Sequence, residues 1–145
     1  MKNRTLYFIW AVRISLALVF IAYGALKLAG GQFYHGDFVL DSRTAYPTTL
    51  VWAFFGYSYL YTIFIGLGEV VAGALLLHPR TATLGAVLYF PIALNVTMID
   101  LSYGFPFPAT ALIITLTLLC AGLLWYDRRK LLMIFWQRER FEAGI

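Results

Sequence analysis

The stretch GLGEVVAGALLL, residues 66–77, places a single carboxylate, Glu69, in the middle of a glycine-rich apolar run. The run is too long and too apolar for a loop of a water-soluble domain, so it predicts a membrane-spanning helix. An ionisable side chain inside a membrane is costly and usually faces the interior of a helix bundle, where it has a partner. The identity of that partner is the first question that the sequence raises.

Three further stretches of the chain are equally apolar. Of its 145 residues, 61% are hydrophobic and 12% are charged, whereas soluble domains average about half apolar and about a quarter charged. A helix of about 20 residues crosses the roughly 30 Å of bilayer hydrocarbon. The sequence therefore predicts an all-α membrane protein, a four-transmembrane-helix bundle that forms one domain over residues 1–145. The spans are expected at 6–29, 58–77, 81–99 and 107–126.

The distribution of lysine and arginine predicts the orientation of the bundle. Basic residues are concentrated at the N-terminus, in the turn after the second span and in the tail after the fourth. Because cytoplasmic segments carry an excess of Lys and Arg, we expect both termini to be cytoplasmic, and this side is called the inner end below. The basic residues on this side are Lys2, Arg4, Arg80, Arg128, Arg129, Lys130, Arg138 and Arg140. The net charge of +4 then reflects topology and contact with anionic lipid, without a nucleic-acid partner.

Two segments outside the spans have patterns of their own. The tail 127–142 combines apolar residues at helical spacing with five basic residues, which predicts an amphipathic helix on the inner membrane surface. On the opposite, outer side, the aromatic-rich segment 30–57 predicts a short surface helix over 48–55, with a break near Gly56. A cleaved signal peptide is the alternative for the first span, but Arg13 interrupts its apolar core.

Depth along the helices suggests Arg13 as the partner of Glu69. Arg13 lies about 10 Å inside the first span from the inner end, and Glu69 about 13 Å inside the second, at 1.5 Å per residue. We therefore predict a buried Arg13–Glu69 ion pair. It would serve either as a packing and orientation device or as a proton or ligand site.

Small residues beside these charges predict close helix packing. Gly66 and Gly73 share a helical face with Glu69, Gly68 begins a small-x-x-x-small pair, and Gly24 lies between the two cations of the first span. Small residues allow transmembrane helices to approach closely.

A second polar group is predicted at the outer end of the bundle. Lys27 closes the first span, Asn95 follows Pro91 by one turn, and Asp100 follows the third span. Lys27 and Asp100 are expected at similar depth, where they would form a weak surface pair. With Tyr23, these residues form the candidate site for a lipophilic ligand such as a quinone. The alternative for Asn95 is an interhelical hydrogen bond.

Metal and thiol chemistry find little support in the sequence. His35 with Asp37 and Asp41 lacks a second nearby histidine, so no metal site is expected. Cys120 is the only cysteine, which excludes an internal dithiol relay and favours a packing role.

Several of these stretches resemble the DoxX-like family of small four-helix membrane proteins. The resemblance rests on Arg13, the YGALK stretch at 23–27, Gly68-Glu69, the run 73–77 and His78-Pro79-Arg80. It implies a role in quinone-linked redox systems, as for the small subunit of a thiosulfate:quinone oxidoreductase, or in the assembly of other membrane proteins. The paired cysteines of quinone-linked disulfide reductases are missing, so that chemistry is not carried over.

These observations give three hypotheses. The first is an accessory subunit of a quinone-linked oxidoreductase in the bacterial inner membrane, not catalytic by itself, with no covalent cofactor and quinone as the one ligand that the resemblance suggests. The second is a structural or assembly protein that binds other membrane proteins or further copies of itself. The third is a small transporter that uses Glu69 as a proton site, for which four spans offer little machinery.

Overall fold

A computed structural model describes residues 2–41 and 43–136 of the chain. The described residues form six helices and no strand, which confirms the all-α prediction. Four of the helices are long and apolar enough to cross a membrane. The helices are α1 (Lys2–Leu28), α2 (Pro47–Tyr57), α3 (Tyr59–Leu77), α4 (Ala82–Tyr103), α5 (Phe107–Tyr126) and α6 (Arg128–Trp136).

Local sequence signals explain most helix ends. Pro47 opens α2, where its fixed φ suits a first turn, and Ser58 separates α2 from α3 by an extended backbone. The Ser58 side chain then caps α3 by accepting a hydrogen bond from the Tyr61 N–H at 3.3 Å. The predicted short helix is therefore present, with its break two residues later than expected. α4 runs through Pro91 and past the predicted end at 99 until Gly104 stops it with φ of 67°.

The α1–α3 contact is the most extensive in the bundle, and glycines bring the two backbones together. A Cβ atom built at Gly24 would lie 2.7 Å from the carbonyl oxygen of Gly66, and one built at Gly73 would lie 3.0 Å from that of Ala17. These contacts place Gly24, Gly66 and Gly73 at the closest approach of the two helices. Gly68 differs, because its nearest neighbour, Ile92 of α4, is at an ordinary 3.8 Å.

The remaining helices close the bundle around an apolar core. Phe20 of α1 stacks on Tyr89 of α4 with ring centroids 3.4 Å apart. The hydroxyls of Thr97 and Thr117 bond at 2.9 Å between α4 and α5. Cys120 is buried and donates to the carbonyl oxygen of Ala86, in agreement with a packing role.

The tail begins directly after α5. The α6 helix covers the first part of the predicted amphipathic segment, and residues 137–142 of that prediction lie outside the described residues.

Candidate functional site

A buried ion pair joins α1 to α3 in the outer half of the bundle. The ammonium group of Lys27 donates to both carboxylate oxygens of Glu69, at 2.9 Å to Oε1 and 2.7 Å to Oε2. Lys27 is 5% exposed and Glu69 3%. The rings of Tyr23 and Phe33 have their centroids 5.7 and 5.6 Å from the ammonium nitrogen. Aromatic faces at that distance attract a desolvated cation, so they stabilise the charge of Lys27.

The predicted Arg13–Glu69 pair is wrong, and the helix register explains why. Gly24 packs between Gly66 and Val70, so Glu69 lies level with Tyr23. Arg13 stands ten residues before Tyr23 on α1. At 1.5 Å per residue this places it about 15 Å nearer the inner end. The sequence estimate assumed that the two spans begin level at the inner end. In the structure α1 begins at Lys2 and extends well past the end of α3.

Arg13 instead belongs to a cluster around Asp127 at the inner end. Asp127 accepts hydrogen bonds from the Arg13 guanidinium at 3.2 Å, the Thr83 hydroxyl at 2.9 Å and the Lys130 ammonium at 2.8 Å. These donors come from α1, α4 and α6, while Asp127 itself follows α5. One carboxylate therefore ties four helices together.

The electrostatics of Asp127 follow from these donors. Burial alone would raise the pKa of its carboxyl, but hydrogen bonds from Lys130 and Thr83 favour the ionised form. Together with the charges of Lys130 and Arg13, they hold the pKa of Asp127 below its usual value.

Sequence reasoning missed the role of Asp127, although a signal for it was present. Among the described residues it is the one acid on the inner side, and basic residues follow it directly. It also stands three positions before Lys130, a spacing at which helical side chains meet. This spacing makes Lys130 a candidate partner of Asp127, but nothing in the sequence points to Arg13 as the second one.

The predicted outer ligand site is not assembled. Tyr23 lies beside Lys27, but Lys27 turns inward to Glu69, so the predicted Lys27–Asp100 surface pair is wrong. Asp100 is buried, and its carboxylate has no hydrogen bond to any described residue. Asn95 lies on the exposed surface of α4. Five helical residues separate Asn95 from Asp100, which turns the two side chains about 140° apart.

One curated protein shares most of this chain. The uncharacterized protein YwoB of Bacillus subtilis is 43% identical over 125 residues, which cover 86% of this chain and 80% of YwoB. The chain belongs to the YwoB family. No protein-family profile matches the chain, and no solved structure matches it.

The alignment with YwoB covers 125 residues, which is long enough to include most of the four spans. The shared region therefore contains most of the membrane bundle. The protein is therefore an integral membrane protein of the YwoB family in contact with lipid. The name of YwoB states no activity.

Two side-chain atoms that are wholly shielded from the surroundings have no partner among the described residues. They are the hydroxyl oxygen of Tyr89 and the side-chain oxygen of Gln32. Tyr89 lies one turn outward of Gly85, which packs against Ala72 and Leu76, so it is close in depth to Glu69. Ordered water commonly fills such positions in helix bundles.

The outer surface carries an apolar groove of about 460 Å³. Residues of the outer loop, α2 and the start of α3 line it, and none of them is charged. In the described part of the chain no three His, Cys, Asp or Glu side chains are placed to hold a metal ion.

Proposed function

We propose that the protein is a non-catalytic accessory subunit of a quinone-linked oxidoreductase in the bacterial plasma membrane. The partner subunit would bind the exposed face of α4 around Asn95. One observation carries it: a carboxamide lies on the lipid-facing surface of a span, among Pro91, Leu94 and Met98.

The chemistry of Asn95 supports a protein partner. Its amide offers two N–H donors and a carbonyl acceptor, and hydrocarbon satisfies none of them. Amide side chains of transmembrane helices typically bond across to a neighbouring helix. Within the described residues no hydrogen bond to the Asn95 side chain is present, so a helix from another protein is the natural source of one.

The accessory role is supported by the buried charges. Both oxygens of Glu69 and the ammonium of Lys27 are engaged with each other, and the pair is closed off by packing. Because each group already engages the other, the pair supports a structural role over a role in proton transfer. The quinone-linked character of the partner rests on the resemblance to DoxX-like proteins, and a quinone would bind at the interface with that partner.

The test is co-purification of partners with two matched variants. Asn95→Leu removes the amide at nearly constant volume. Thr115→Val removes a hydroxyl from the exposed surface of α5, where that hydroxyl already donates to the carbonyl oxygen of its own helix at Ala111. After gentle extraction, native mass spectrometry should show loss of the partner for Asn95→Leu and its retention for Thr115→Val. Quinone-dependent turnover of the host membranes should fall in parallel.

Retention of the partner by Asn95→Leu would overturn the docking surface. A partner without flavin, haem or metal would overturn the oxidoreductase and favour the second candidate, an assembly protein. That candidate is supported by the Asp127 cluster, which ties four helices into one framework. A proton transporter has the least support, because Lys27 occupies both oxygens of Glu69; pH-driven flux in liposomes of the isolated protein would revive it.

A further inference from the structure

The inner end of the bundle carries a strong excess of positive charge around one acid. Its described basic residues are Lys2, Arg4, Arg13, Arg80, Arg128, Arg129 and Lys130. Asp127 is the one described acid on this side, and three donors already fill its two oxygens. A carboxylate has about four acceptor positions, so Asp127 has little capacity left for further cations.

The guanidinium of Arg13 has N–H donors that no described residue accepts. A guanidinium carries five N–H groups, and the structure uses one side of it, through Nη2 on Asp127. No other acceptor for Arg13 occurs within residues 2–41 and 43–136. The other nitrogens of Arg13 are not among the buried atoms that lack a partner, so they reach the accessible surface, and phosphate oxygens match the fork-like geometry of a guanidinium.

Lys130 is placed beside Arg13 and open to the surroundings. It bonds the second oxygen of the same carboxylate, and its side chain is 55% exposed. Two cations on one carboxylate leave a net positive charge at a point where Lys130 also reaches the surface.

Arg128 fixes the depth of this cluster. Its guanidinium lies 4.6 Å from the ring centroid of Trp125 and donates to the Trp125 carbonyl oxygen at 3.2 Å. Trp125 is exposed in the last turn of α5. Exposed tryptophans at the ends of spans lie at the level of the lipid headgroups. The cationic cluster therefore lies where phospholipid phosphates are.

We propose that Arg13 and Lys130, which share the carboxylate of Asp127, form a binding site for the phosphate group of an anionic phospholipid at the inner end of the bundle. Arg13 supplies its unused N–H donors, Lys130 supplies an exposed ammonium group, and Arg128 adds positive charge at headgroup depth. The lipid is favoured over a free phosphate ion because the acyl chains would pack along the exposed apolar surface of α5 that ends at Trp125.

The experiment uses the full chain, purified in a neutral detergent. Phosphatidylglycerol, phosphatidylcholine or inorganic phosphate is added separately, and the thermal unfolding midpoint and the lipid retained in native mass spectrometry are recorded. Phosphatidylglycerol should raise the midpoint and remain bound, whereas neither phosphatidylcholine nor inorganic phosphate should do so. Equal effects of the two lipids would overturn the proposal, and so would an effect of inorganic phosphate as large as that of phosphatidylglycerol.

Charge-loss variants locate the site. Arg128→Gln combined with Lys130→Gln should weaken retention of phosphatidylglycerol by about fivefold for each cation removed. Arg43→Gln is the matched control, since it removes one exposed cation from the outer loop and should leave retention unchanged. If the double variant fails to fold, Arg128→Gln alone keeps every bond of Asp127 and serves instead. Retention by these variants equal to that of Arg43→Gln would overturn the proposed site.

Discussion

The two charge clusters of this bundle differ in almost every physical respect. The Lys27–Glu69 pair lies within the membrane, consists of one cation and one anion, and joins only α1 and α3. The Asp127 cluster lies at the inner end, gathers two cations and a hydroxyl on one carboxylate, and joins four helices.

The difference shows how depth in a membrane changes what a charged group does. In hydrocarbon an unpaired charge is costly, and here Lys27 and Glu69 satisfy each other within the chain. At the headgroup level water and lipid phosphates are near, so a cluster with surplus positive charge is tolerated there and can bind an anionic ligand. The outer pair is thus a closed structural device, and the inner cluster is open to a ligand.

Removing one member of the outer pair is the strongest test of the difference between the two clusters. Glu69→Gln or Lys27→Met leaves a buried charge without its partner, and we expect each to cost about 3–5 kcal/mol of unfolding free energy. The double variant Lys27→Met with Glu69→Met should recover most of that loss, because apolar side chains suit the site. Denaturant unfolding in detergent measures both.

The same unfolding measurement tests the register of α1 against α3. Exchanging Lys27 and Glu69 should restore part of the stability, whereas exchanging Arg13 and Glu69 should not. Wild-type stability in both single variants would show that the outer pair is not a structural requirement.

The close α1–α3 approach that supports the outer pair is expected to have the next largest effect. Gly24→Ala places a methyl group 2.7 Å from the Gly66 carbonyl oxygen, so the helices have to move apart, at a cost of about 2–3 kcal/mol. Gly68→Ala is the matched control, since its nearest neighbour is 3.8 Å away. Equal melting temperatures for the two variants would contradict the close contact.

The inner cluster should be less sensitive than the outer pair. Asp127→Asn keeps the shape of the side chain but removes the charge that Arg13 and Lys130 bond. We expect a loss of about 1.5 kcal/mol, because water and lipid phosphates at this depth replace part of the interaction. A loss as large as that of Glu69→Gln, measured in the same unfolding series, would remove the proposed distinction between the two clusters.

Acid should weaken the inner cluster gradually. The pKa of Asp127 is lower in the folded protein than in the unfolded chain, so the unfolded chain binds a proton first as the pH falls. The contribution of Asp127 to stability is therefore complete above the usual aspartate pKa of about 4 and is lost below it. The stability difference between wild type and Asp127→Asn, measured from pH 6 to pH 3, should be constant at first and then shrink. A difference that persists unchanged at pH 3 would contradict the lowered pKa.

The predicted and observed partners of the charges show where sequence reasoning ends. Glu69 and Arg13 were predicted to lie in the bundle interior, whereas Lys27 was predicted in a weak surface pair, and all three are buried. The pairing itself was wrong because it depended on where α1 stands relative to α3. A shift of ten residues along one helix is invisible to a hydropathy pattern, which is similar at every position of a long apolar run.

The same limit applies to the polar group predicted at the outer end, which consists of Lys27, Asn95 and Asp100. Helical periodicity alone turns Asn95 away from Asp100, so their separation was available from the sequence. The inward turn of Lys27 was not, because a lysine at the end of a span is equally able to extend toward the headgroups.

By itself, the sequence determined that the chain is helical, that four stretches are long enough to span a membrane, and which face of each helix carries its glycines and charges. These are local properties, set by hydropathy and by the period of the helix. The tertiary structure alone decided that Glu69 meets Lys27 and that Arg13 meets Asp127. The physical reason is that the register of two helices depends on where their backbones approach most closely, and here the Gly24–Gly66 and Ala17–Gly73 contacts fix it.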